Sequence, residues 1–391
     1  MNFLFEEQLI NYTENSRLWQ ENSQYFYDIV IQQKIGRALS TQWFDKSGST
    51  QKIIVGEDRS ENGRYLSIYE TDFNEDQIFE LEGNKRFRTY FEIKFDSEVH
   101  RIRIRPDNPL IIACILDTGE AKIINILNPS QLDQEGYSMT SLKGHTEEGY
   151  GINWNHTKKG LLATCAYDKK ILIWDTNLYG NELEPISSYN DHSAGVEDVE
   201  WNPHDPNSFG SVADDQTLKI FDTRTKTHTL NIIAHKEEVN SLSFSPFYPN
   251  LIVTGSSDKC VALWDIRNTS TRLHSLLQHQ DKIFQVSFSP NDPNLIASSG
   301  DDKKILIWDT SQIGDEQQGR DADIGPPELI FTHSGNLQVI REFDWHPTIP
   351  YCFTSVDDNH INLVWKLKPN IIKDESEKDF FKILKQSFSE K

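Results

Sequence analysis

Two aromatic landmarks move in lockstep along this chain. Trp154, Trp201, Phe244, Phe288 and Trp345 each end an apolar, strand-like run, and Trp174, Phe221, Trp264, Trp308 and Trp365 each close a unit further on. Both series step by 47, 43, 44 and 57 residues. A period in this range, with three strand-like runs between landmarks, reads as the four-stranded blades of a β-propeller. Such a fold is a rigid platform, so the repeat bears on function as well as on architecture.

Residues 144–176 show the unit. Gly144-His145 opens it, GYGINW and LLATCAYD supply two strands, and KKILIWDT supplies a third with the period-two, β-branched pattern of buried strands. His145, His192, His235 and His279 stand at the opening loops, and Asp168, Asp215, Asp258 and Asp302 each lie six residues before the closing aromatic. In WD-repeat blades such a His, turn Asp and strand Trp hydrogen-bond across the blade, so these histidines are read as locks rather than catalysts. One Asp of each Asp-Asp pair at 214–215, 301–302 and 357–358 is expected to lock its turn. Two weaker units, 93–126 with the preceding YFEIKF and 51–71, bring the number of blades to seven. The segment near Leu39–Phe44 is expected to complete the seventh blade beside the strands at 339–366, which removes open sheet edges.

Both ends read as helical. Asn11 and Glu14 form a cap pair ahead of Leu18, Trp19, Tyr25, Phe26, Ile29 and Val30, which recur at helical spacing; Phe380, Leu384 and Phe388 form a stripe near the C-terminus. The expected fold is therefore all-β: a seven-bladed WD-repeat propeller over 35–370, an N-terminal helix within 1–34 packed on its side, and a short helical tail over 371–391. The long last step contains an insertion at 315–329 that a blade does not need, and long loops often carry function.

Composition narrows the partners. Sixty acidic against 39 basic residues give a net charge of −21, which argues against direct nucleic-acid binding and permits a basic protein partner. No apolar run reaches membrane-spanning length. Cys114, Cys165, Cys260 and Cys352 are scattered among strand-like runs and read as core thiols. Phosphate-binding glycine loops, H-E-x-x-H and C-x-x-C are all missing from the sequence. No enzymatic residue set, cofactor site or metal site emerges.

Equivalent positions in different blades must ring the channel on one face. Six residues before the inner-strand aromatic, or before its counterpart Ile104, stand Glu98, Glu148, Gly195, Glu238, Lys282 and Val339. Four before stand His100, Tyr150, Glu197, Asn240, Phe284 and Arg341. Carboxylates with Tyr150 and Phe284 at one mouth describe a receptor for a basic, extended peptide, since carboxylates pair with Lys or Arg and aromatic faces stack on guanidinium planes.

The segments GHTEEGYGINWN (144–155), FGSVADDQTLKIFDTR (209–224), KIFQVSFSPNDPNLIASSGDDKKILIWD (282–309) and IGDEQQGRDADIGPPELIF (313–331), which ends around Pro326-Pro327, resemble the retinoblastoma-binding histone chaperone WD-repeat family over roughly residues 14–372. The resemblance implies two histone-related sites and a nuclear protein, found in the cytoplasm as well. On the propeller side, Tyr25, Phe26, Asp28 and Ile29, with Asp321 and Asp323 of the insertion and Ile371, would clasp a core-histone helix. At the channel mouth, Glu98, Glu148, Tyr150, Glu197, Glu238 and Phe284 would hold a basic tail or cofactor peptide. Implied partners are core histones and the subunits of chromatin-assembly or histone-modifying complexes, with no membrane and no direct nucleic acid. The chain departs from the family in GRALSTQW, which replaces a Trp-Pro-Ser-Leu segment, in Arg320 and Ile324 within the acidic loop, and in Lys282, which replaces a mouth carboxylate. An alternative reading is a ubiquitin-ligase substrate receptor, because WDIR (264–267) and FDTR (221–224) fit the Trp-Asp-x-Arg pattern of some such receptors.

Overall fold

The computed structural model describes residues 25–44, 50–72, 78–80, 86–126, 136–178, 180–317 and 325–369 together with Trp19, Ser23 and Ile371. Its strands fall into seven sheets arranged as a propeller, antiparallel except where the short strands Ile78–Glu80 and Glu182–Leu183 add in parallel to the outer edges of two of them. Blade one runs outward through Arg37–Trp43, Thr50–Asp58, Arg64–Asp72 and Arg88–Phe95. The innermost strands of blades two to seven are Val99–Ile104, Gly151–Trp154, Val196–Trp201, Val239–Phe244, Ile283–Phe288 and Ile340–Trp345.

Closure differs from expectation. The strand that completes blade seven is Tyr27–Lys34, paired antiparallel with Ile361–Leu367 in the register Ile31 to Val364. The segment around Leu39–Phe44 instead forms the inner strand of blade one. The helix expected across 1–34 therefore stops by Phe26 among the described residues, where Trp19, Ser23, Tyr25 and Phe26 are helical. The cause is two-sided burial. Tyr27, Ile29, Val30 and Ile31 are all 5% exposed or less, so both strand faces are apolar and the pattern imitates helical spacing. Three β-branched residues in a row favour the strand. YFEIKF likewise belongs to blade one as its outer strand, and the fourth strand of blade two is Tyr137–Leu142. The expected C-terminal stripe at 380–388 lies outside the described residues.

The blade locks form as the spacing implies. His145 Nδ1 lies 3.0 Å from Asp168 and Nε2 lies 2.8 Å from the Thr164 hydroxyl, which also accepts from the Trp174 indole at 2.9 Å. His235–Asp258–Thr254–Trp264 and His279–Asp302–Ser298–Trp308 repeat the set. In blade four Phe221 closes without an indole donor, and in blade seven Asn336 takes the His place beside Asp357, Ser355 and Trp365. In the pairs, Asp215, Asp302 and Asp357 are the locking carboxylates.

A second set of polar residues ties blades to one another around the channel. One residue before the inner-strand aromatics of blades one, three, four, five and seven stand Gln42, Asn153, Glu200, Ser243 and Asp344. Their side chains accept the backbone N–H of Ile104, Trp201, Phe244, Phe288 and Trp43 in the neighbouring blade. Two residues earlier, Ser40, Asp198, Ser241, Gln285 and Glu342 do the same for Ile102, Leu242, Val286, Phe343 and Thr41. Blade three has Gly151 at that level, where an added Cβ would strike Cys165 Sγ and press on the backbone of Asp198 and Val199. Arg101 reaches past it to Asp198 at 2.7 Å, and Arg103 pairs with Glu342 at 2.8 Å. Asp198 and Glu342 are thus paired with arginines, whereas burial pushes Glu200 and Asp344, which meet only N–H donors, towards their neutral forms. All four cysteines are buried free thiols.

Candidate functional site

The mouth owes its chemistry to a repeated backbone irregularity. Six of the seven inner strands carry a β-bulge at one equivalent place, between Ala38 and Ser40, Val99 and Arg101, Val196 and Asp198, Val239 and Ser241, Ile283 and Gln285, and Ile340 and Glu342. The extra residues are Leu39, His100, Glu197, Asn240, Phe284 and Arg341. A bulge re-aims its side chain out of the ladder, which explains why the four-before register faces the mouth. The six-before register is held by a second regularity. The carbonyls of Glu98, Glu148, Gly195, Glu238, Lys282 and Val339 accept N–H bonds of 2.8–3.1 Å from Asp117, Tyr167, Asp214, Ser257, Asp301 and Asp358, which stand one or two residues beyond each second strand.

These contacts gather an acidic and aromatic group on blades two to five. Tyr150 stacks flat on His100, centroids 4.4 Å apart at 9°, tilts against Tyr167 at 5.7 Å, and reaches Glu148 with its hydroxyl at 3.4 Å. Tyr167 and Asp214 both hydrogen-bond Glu197. Burial, and then the neighbouring Asp214 carboxyl, push Glu197 up to about 8, so these two carboxyls hold a proton between them near neutrality. Burial beside Glu148 and Glu197 raises Tyr150 to about 12. Gly195 makes the arrangement possible, because a Cβ there would sit 2.4 Å from the Tyr167 ring. Glu148 and Glu238 are exposed.

The opposite arc already contains cations. Arg37 of blade one pairs with Glu98, removing that carboxylate from the free acidic set. Arg341 of blade seven makes a two-point ion pair with Asp358 at 2.9 and 2.6 Å and lies over the Phe284 ring at 5.3 Å. Lys282 is exposed on blade six. Register counting from the sequence reached Glu148, Tyr150, Glu197, Glu238 and Phe284. It missed Tyr167, Asp214 and Asp358, which follow the second strands, and Arg37, which holds the six-before place of blade one, because the inner strand of that blade, ending at Trp43, is expected from the sequence in blade seven.

The side site is only partly assembled. Tyr25 is exposed, Phe26 packs against Phe331 at 6.0 Å, and Asp28 pairs with Lys366 at 3.2 Å. Ile29 and Ile371, at 5% and 7% exposure, are core residues and not a contact surface: Ile29 faces the interior shared with blade one, and Ile371 packs in the blade-seven core. Asp321 and Asp323 lie outside the described residues, as do Arg320 and Ile324. The arginines of the two Trp-Asp-x-Arg-like motifs fold back onto their own strand ends, Arg224 on Asp222 and Arg267 on Asp265. His235, Asp258 and Cys260 lie close enough to hold a metal ion, but His235 and Asp258 are already bonded in the blade lock, and Arg272 donates to Cys260 Sγ at 3.4 Å.

Comparison with known families agrees with this geometry. A family model described as EIPR1 beta-propeller matches residues 179–308, which take in the outer strand of blade three, blades four and five, and three strands of blade six. A second, described as WD domain, G-beta repeat, matches residues 136–175, the outer strand of blade two and the inner three of blade three. The chain is a seven-bladed WD-repeat β-propeller, a protein of the class that serves as a scaffold or interaction module.

Proposed function

We propose that this protein is a non-catalytic histone-binding scaffold of chromatin-assembly or histone-modifying complexes, nuclear in its main location. The observation that carries the reading is the bulge-borne mouth, where Glu148, Glu197, Asp214 and Glu238 surround two tyrosines on one arc. Carboxylates at fixed positions beside aromatic faces suit the guanidinium or ammonium groups of an extended basic tail, and the net charge of −21 steers such a partner inward. The resemblance in the sequence adds a second contact on the side of blade seven, where a core-histone helix would cross Tyr25 and Phe26 and meet Asp28, Asp321 and Asp323.

Titration of the purified protein at moderate salt against histone dimers, isolated tail peptides and isolated helix peptides tests both contacts. Binding of tail peptide that Glu197→Gln with Tyr150→Ala weakens, while helix binding persists, is the expected result for the mouth. Reversing Asp321 and Asp323 to Lys should weaken helix binding alone, and equal loss of both ligands would sink the two-site arrangement. No binding to any histone piece would overturn the reading.

A further inference from the structure

Arg341 breaks the pattern of the mouth. At the bulge position the other described blades carry Leu39, His100, Glu197, Asn240 and Phe284, with Tyr150 in the matching place of blade three. Blade seven alone among them presents a fixed cation there. That cation is not loose. Its guanidinium meets the Asp358 carboxylate through two nitrogens, at 2.9 and 2.6 Å, and sits 5.3 Å from the centre of the Phe284 ring. A carboxylate in two-point contact and an aromatic face are the two features that a bound arginine side chain would require. Both partners are held in place: the Asp358 N–H is tied to the Val339 carbonyl at 3.1 Å, and Phe284 is half-buried on the bulge of blade six.

We infer that Arg341 is a built-in occupant of a cation subsite made by Phe284 and Asp358, and that it restricts the mouth to basic peptides anchored on blades three to five. The inference rests on the mouth being a peptide site, as proposed above. Two features support the restriction. Arg37 neutralises Glu98 on the next blade, and Lys282 adds an exposed cation on blade six. The mouth is therefore two-sided, with ion-paired Arg341 and Arg37 and exposed Lys282 on blades seven, one and six, and carboxyl groups without an ion pair among the described residues on blades three to five. A peptide carrying cations along its whole length would place one of them against Arg341 and gain nothing from it. A peptide with one cationic anchor, followed by neutral or acidic residues, matches both sides.

The test compares wild type with Arg341→Ser and with Arg341→Met, which keeps an unbranched stem over Phe284. Two fluorescein-labelled glycine-serine peptides serve as probes, one with a single arginine and one with two arginines separated by a spacer long enough to cross the mouth. Thermal melts check that each variant folds. Wild type should bind both peptides with similar affinity, because its second subsite is filled. Either variant should bind the two-arginine peptide about ten-fold more tightly, the scale of one close charge pair at an interface, and leave the one-arginine affinity unchanged. Adding Asp358→Asn should erase that gain. Binding by wild type that the variants leave unaltered for both peptides would overturn the inference and leave the mouth as a peptide site. Failure of every protein to bind either peptide would overturn the mouth reading itself.

Discussion

At the scale of single residues, two carboxyls give the protein opposite pH signatures. Glu197, raised to about 8 by burial beside Asp214, must give up a proton before it can pair with a cationic side chain. Peptide binding should therefore release a proton and tighten as pH rises from 6 to 8, flattening above the pKa. Glu197→Gln should remove the slope, and calorimetry in buffers of different ionisation enthalpy would read the proton directly; a flat affinity in wild type would contradict the shared proton. Glu200 is raised to about 8 by burial, with Asp198 adding to it, and concerns folding rather than binding. A carboxyl whose folded pKa lies above its unfolded value favours the native state most at low pH, and that advantage fades as pH climbs from the unfolded range towards 8. Glu200→Gln keeps an oxygen for the Phe244 N–H and should stabilise the protein at pH 8 by roughly 1–3 kcal/mol, with little effect at pH 5. Melts of both proteins at the two pH values decide it. Glu197 was legible in the sequence because a bulge repeats with the blade. Glu200 was not, since a charged residue beside a strand aromatic reads as surface until the channel is closed around it.

At the scale of elements, the blade is held by its lock. His279→Ala would strip a partner from Asp302 and from Ser298 together, leaving the buried Ser298 hydroxyl with the Trp308 indole alone. Such a loss should cost about 2–4 kcal/mol. Phe221 cannot donate, so His192→Ala would leave the Ser211 hydroxyl without the indole partner that Ser298 keeps, and it should be the costlier of the two substitutions in urea melts. Equal losses would mean that the indole bond adds nothing. The Asp side of the lock sets the acid limit. Histidine and backbone donors depress Asp258 to about 2, and a similar environment depresses Asp302. These groups contribute stability that is full above the usual carboxylate range and disappears as pH falls through 4 towards 2. The locks were readable because His, Asp and Trp are spaced by the blade itself. The strand Tyr27–Lys34 was not, because a strand packed on both faces has no period of two. Its apolar residues at 26, 27, 29, 30 and 31 fit a helix equally well until the partner strand, 333 residues away at the Ile31–Val364 pair, is known to exist.

At the scale of the whole molecule, everything above depends on that strand closing the ring. Tyr27, Val30 and Ile31 are among the most buried residues of the chain, and the Tyr27 hydroxyl meets His333 Nδ1 at 2.7 Å between blades six and seven. Burial of each large side chain is worth roughly 1.5–3 kcal/mol, and the strand covers the edge of Ile361–Leu367 that would otherwise pair with other chains. Because the mouth residues come from inner strands tied blade to blade around the channel, opening the ring should disturb Glu197 and Arg341 as well as the seam. A variant lacking residues 1–35 is expected to melt roughly 10 °C lower or more and to form oligomers by light scattering. Ile31→Asp, which places an unpaired charge at a position 1% exposed, should do the same at full length. A synthetic peptide spanning 25–36, added in trans, should restore the monomer and the melting temperature together. Restoration of only one would separate edge protection from ring stability, and a truncated protein that stays monomeric with an unchanged melt would show that the blades hold the circle without their clasp.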